Sequence, residues 1–168
     1  MEQYSFSTTE IFASSTYEVQ TLADEIRADL ACKELLKHFH QDLLSEKRLP
    51  PLEAGLRAAG ADYFLRDYLI DHCRMNIFHF SAAQVKGFAG NWYIISTLEP
   101  NLVELENILL GIRDFYLFCS ARKLSAPEQH DDIEQACSDL SYYRQRIDDF
   151  HALSGDGFSN WNRLCPDK

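Results

Sequence analysis

The sequence is short of the residues that usually advertise chemistry. Its cysteines are an odd set of five, Cys32, Cys73, Cys119, Cys137 and Cys165, widely spread and without a Cys-x-x-Cys pair. That excludes a disulfide framework and a zinc knuckle, and it fits reduced thiols in an expected cytoplasmic setting. Basic side chains are outnumbered, 16 Lys and Arg against 26 Asp and Glu, for a formal net charge of −10. Glu46-Lys47-Arg48 is the densest basic spot and Pro50-Pro51 interrupts it at once. Phosphate backbones and anionic membranes are therefore disfavoured partners. No apolar run approaches the roughly 20 residues that span a bilayer, and the N-terminus lacks the basic, apolar start of a secretion signal.

Catalytic motifs are missing too. The chain has no Glu-x-x-His, no Gly-x-Ser-x-Gly elbow and no phosphate loop, since Lys86-Gly87-Phe88-Ala89-Gly90-Asn91 lacks the Gly-Lys-Ser/Thr ending. His130-Asp131-Asp132 resembles a fragment of a metal site, yet acidic residues in a first helical turn are explained by the helix dipole. No metal site and no particular cofactor is implied.

What is present is a globular composition, 46% hydrophobic over 168 residues, arranged almost throughout at helical spacing. The expectation is an all-α, single-domain bundle of about six to seven helices over 17–154. A Ser/Thr-rich, flexible arm (1–16) precedes it and a tail (155–168) follows. Val19, Leu22, Ala23, Ile26 and Leu30 form one stripe, and Cys32, Leu35, Leu36, Phe39 and Leu43 a second, half a turn out of phase. Either the helix breaks near Asp29 or it lies between two surfaces; the break is the simpler expectation.

Pro51 opens a short helix that Gly60 would cap. A central helix is expected from Ala61 to Phe80, apolar around most of its circumference. Segment 82–97 reads as helix, with a hairpin at Ala89-Gly90-Asn91 as the alternative because Trp92–Thr97 has strand-like composition. The helix after Pro100 is the cleanest, but Leu110, Leu117 and Phe118 fall outside its stripe and imply a second buried contact or an interface. Ile133, Ala136, Leu140, Tyr143, Ile147 and Phe150 make the seam of an outer helix.

On a regular central helix, His72 and His79 would share a face about 10 Å apart. Tyr68 and Met75 would lie on that face, with Trp92 and Tyr116 as possible pocket walls. Two imidazoles above an apolar wall suit a ligand pocket. The plainer reading is two boundary histidines bonded to their neighbours. Two functions follow. One is an interaction or regulatory module, self-associating or bound to a protein partner through Leu110, Leu117 and Phe118. The other is a pocket for a cofactor or small molecule, possible substrate included, around His72 and His79.

Overall fold

The computed structural model describes residues 4–168, and every regular element among them is helical, with no strand. The chain is a helical bundle built around three long helices. α1 (Thr8–Ile11) leads to a 3-10 turn (Ser14–Tyr17) and to α2 (Leu22–Ser45). α3 (Pro51–Asp62) runs without interruption into a π-helical segment (Tyr63–His72). α4 (Ala82–Gly87) continues through a second π-helical segment (Phe88–Trp92) into α5 (Tyr93–Ser96). α6 (Leu102–Ala121), α7 (His130–Ser138), α8 (Leu140–His151) and α9 (Phe158–Arg163) complete the fold. Segment 82–97 is therefore helix and not hairpin.

α2 does not break at Asp29. Thr21 caps it, accepting from the Asp24 amide while the Asp24 carboxylate accepts from the Thr21 amide, and the helix then runs 24 residues. Only the second stripe enters the core, with Cys32, Leu35, Phe39 and Leu43 at 1% exposure or less. Of the first stripe, Val19 ahead of the helix packs against the core, while Leu22 and Ile26 stay outside, 67% and 46% exposed.

Gly60 does not end α3. It sits where α3 crosses α6, and an added Cβ would lie 2.7 Å from the Ile108 Cα. Gly111 of α6 presses the same way on α3, 2.2 Å from the Arg57 carbonyl by the same measure. Pairing of 60 with 108 and of 57 with 111 makes the two helices antiparallel. Arg57 donates to Asp114 across this contact and to Glu53 one turn back along α3.

The expected helix from Ala61 to Phe80 stops at His72. The Cys73 amide bonds to the Tyr68 carbonyl and the Met75 amide to the Leu69 carbonyl, each at 2.8 Å, around Arg74 at φ 53°. This is a left-handed helix closure that usually takes glycine. The chain then turns back, held by buried Asn76, whose side chain donates to the Ser14 carbonyl (2.9 Å) and to Glu18 (3.0 Å). The outer helix is likewise two helices, with a break at Asp139.

The N-terminal stretch packs on the body over the residues described. Ile11 and Tyr17 are buried, and the Tyr17 hydroxyl donates to the Ile11 carbonyl at 2.6 Å. Residues 1–3 of the expected arm lie outside the described residues. In the tail, Trp161 and Cys165 are buried. No helix among the described residues is long and apolar enough to cross a membrane.

Candidate functional site

The two π-helical segments face each other, and their aromatic side chains converge. π-helical winding bonds each amide to the carbonyl five residues back, and it is frequent at functional sites. Here it brings Tyr63 and Tyr68 from the first segment onto Phe88 and Trp92 from the second, with ring centroids 5.3–5.8 Å apart. These are favourable aromatic separations. His72, at the end of the first segment, stacks on Tyr68 (5.7 Å, 20° between planes) and lies 5.9 Å from Trp92.

The Tyr68, His72 and Trp92 rings line a groove of about 420 Å³, together with Asn91, Ile95 and Asn162. That volume lies in the range that houses small ligands. His72 is exposed, Trp92 half-buried and Ile95 44% exposed, so the groove offers ring faces and an aliphatic edge to solvent. Its polar end is set by the Asn91 amide, which donates to the Asn162 side chain at 2.9 Å.

The C-terminal tail builds the far wall. An added Cβ at Gly87 would meet the Asp167 carbonyl at 2.2 Å and the Tyr68 hydroxyl at 2.9 Å, so glycine there lets the tail lie directly on the helix. Arg146, 5% exposed, clamps the arrangement. Its guanidinium donates to the Gly90 carbonyl (2.8 Å) and the Trp161 carbonyl (2.7 Å), and it lies 3.8 Å from the centre of the Trp161 ring. The Trp161 indole donates back to the Arg146 carbonyl at 3.0 Å. Arg146 has no carboxylate partner among the described residues. Two carbonyl dipoles and a ring face balance its charge instead.

Of the six residues expected to line a pocket, Tyr68, His72 and Trp92 come together. The other three are elsewhere: His79 and Met75 because the helix that would have carried them past His72 has already ended, and Tyr116 because its ring on α6 packs against Phe80 and His130. His79 is exposed and lies 3.2 Å from the Ser14 hydroxyl. Met75 packs against the core from within the turn. Tyr116 donates to the Ala126 carbonyl at 2.5 Å, with its ring against Phe80 and His130. Asn91, Ile95 and Asn162 carried no signal of their own; the adjacent Gly87 and Gly90 were the only hint of close approach.

The three expected interface residues are placed differently from one another. Phe118 is 2% exposed, enclosed by Phe12, Phe39 and Phe115 and covered by the Arg122 guanidinium 3.7 Å from its ring centre. Its second contact is thus made within the chain. Leu110 and Leu117 are half-buried beside separate cavities of about 110 Å³ and 260 Å³.

Burial raises the pKa of the Tyr68 phenol and of the Cys73 thiol beside it. At neutral pH both stay protonated, so the groove presents stacking surfaces and hydrogen-bond donors and no anionic nucleophile. No group of three or more His, Cys, Asp or Glu side chains among the described residues is placed to hold a metal ion. No protein-family model matches the chain, and no curated protein or solved structure matches it either.

Proposed function

We propose that this chain is a ligand-binding module that holds a flat, mostly apolar small molecule in the groove between its two π-helical segments. The observation that carries the reading is the convergence of Tyr68, His72 and Trp92 on one open cleft of about 420 Å³. Trp92 supplies the stacking face, Ile95 the aliphatic edge, and the amides of Asn91 and Asn162 the polar end that fixes orientation. His72 closes the open side and adds ring nitrogens that can pair with a polar group on the ligand.

Anilinonaphthalene sulfonate, an aromatic reporter of apolar clefts, provides the test. The native protein should enhance its fluorescence, and Trp92→Ala should weaken binding about thirty-fold, the loss expected when a central aromatic anchor is removed. Equal affinity in Trp92→Ala and wild type would refute the reading.

A protein-interaction module is the second reading, and exposed apolar side chains favour it. Leu98 is 98% and Val103 74% exposed, and the outward stripe of α2 exposes Leu22 and Ile26 as well. Single exposed apolar residues are ordinary, but a stripe at helical spacing is the pattern that partners bury.

A further inference from the structure

The outward stripe of α2 stays continuous with a helix whose opposite face is already buried. Leu22, Ile26 and Leu30 recur every fourth residue, so they form a ridge about 12 Å long on one side. Beside this ridge runs the first π-helical segment. Between them lies a groove of about 410 Å³, lined by Glu25, Ile26, Asp29, Leu30, Asp67 and Asp71, with Arg66 and Ile70 on its wall.

We propose that this groove docks a basic amphipathic helix of a partner protein, which seats its apolar face on Leu22, Ile26 and Leu30 and its cations on Asp67 and Asp71. Two observations select that occupant. The first is the apolar ridge, which a free polyamine or metal ion would leave uncovered and which a helix fills through i, i+3 and i+4 side chains. The second is charge. Four carboxylates line the groove against the one guanidinium of Arg66.

That guanidinium is already committed, to Asp29 at 2.8 Å and to Asp62 at 3.2 Å. Glu25 is held by Arg74 at 3.3 Å. Asp67 and Asp71 have no ion-pair partner among the described residues and are exposed. Partial desolvation against the body raises the Asp67 carboxyl pKa even though the residue is open to solvent, as do the nearby charges of Asp62, Asp71 and Asp29 against the opposing Arg66. An arriving Lys or Arg relieves that crowding. An anionic membrane, which would also offer apolar surface, is repelled by the same carboxylates.

The test uses the full chain and fluorescence anisotropy. The probe is a fluorescein-labelled peptide of about 14 residues, Leu and Lys only, with Leu recurring at i, i+3, i+4 and i+7 along one helical face. A control of identical composition scatters the Leu residues around the helix and so measures attraction to net charge alone. The amphipathic peptide is expected to bind about tenfold more tightly than the control. Ile26→Ser, at a solvent-facing position, should weaken it about tenfold, and so should Asp67→Asn/Asp71→Asn.

Asp131→Asn/Asp132→Asn on α7 removes the same charge from another surface and should change affinity by less than about twofold. Trp92→Ala should bind the peptide as wild type does, so loss of the small-molecule site and loss of this one are read separately. Equal affinity for the two peptides overturns the proposal. So does peptide binding that is indifferent to Ile26→Ser while far-UV circular dichroism reports an intact fold.

Discussion

Gly111→Ala and Gly55→Ala make the same chemical change in two helices, and the structure assigns them opposite signs. In an exposed helix the change gains about 0.5–1 kcal/mol, because alanine has less backbone freedom to lose. Gly55 has nothing within 4 Å of the position an added Cβ would take, so α3 should keep that gain. At Gly111 the new Cβ would stand 2.2 Å from the Arg57 carbonyl and 3.0 Å from the Ala61 amide nitrogen. Both are backbone atoms of the facing helix and cannot rotate away.

To reach ordinary contact the α3–α6 pair must part by more than about 1 Å, which forfeits a quarter to a half of each dispersion contact along the seam. Overpacking of this kind costs about 1–3 kcal/mol, here at the upper end, and the helix-propensity gain offsets only part of it. The net expectation is a loss of about 2 kcal/mol and a Tm lower by about 4–8 °C, against a rise of about 1–4 °C for Gly55→Ala. Thermal melts followed by circular dichroism measure both. If Gly111→Ala melts as high as Gly55→Ala, the close crossing of α3 and α6 is wrong.

Two further outcomes follow from buried or crowded charge. Arg146→Met strips the Gly90 and Trp161 carbonyls of their donor, and it should cost about 3 kcal/mol in urea unfolding and red-shift Trp161 emission. Unchanged emission would mean the tail docks without the clamp. Asp67 has its carboxyl pKa raised in the fold. Its ionisation therefore subtracts stability as pH rises through that raised value. Asp67→Asn should raise Tm at pH 7, with the difference vanishing below about pH 3, where the wild-type carboxyl is protonated whether folded or not. A Tm gain that persists at that acid pH would refute the electrostatic cause. The same substitution stabilises the fold and weakens the docking proposed above, which is how stability and function trade at a working surface.

The helices themselves were legible because their core stripes keep the 3.6-residue period, most plainly Leu105, Ile108, Leu109, Ile112 and Phe115 of α6. Their ends were not. Three closures place Arg48, Arg74 and Lys123 in the left-handed region, at φ 55°, 53° and 58°. Glycine is the residue that betrays such a turn in a sequence, and a basic side chain does not, although its charge suits the C-terminal end of a helix. Thus Gly60 resembles a terminus it does not form, and no residue in the sequence marks the true stop after His72.

The same limit governs the groove. His72 and His79 share a face only if winding stays α-helical past Cys73, whereas Tyr68 and Trp92 meet because two π-helical segments cross. The contacts that finish the wall join Asn91 to Asn162 and Gly90 to Arg146, far apart in the chain. No local pattern records such a pairing.

The first π-helical segment also makes the chain unusually sensitive to length. Removing one residue between Tyr63 and His72 while the winding stays wide would swing every later side chain by roughly a quarter of a turn around the axis. His72 would leave the Trp92 ring, and Asn76 would lose its reach to Ser14 and Glu18. A substitution here alters one wall of the groove, whereas a deletion would uncouple the groove from the N-terminal segment altogether. Related chains that keep this architecture should therefore vary in sequence over these ten positions far more readily than in number.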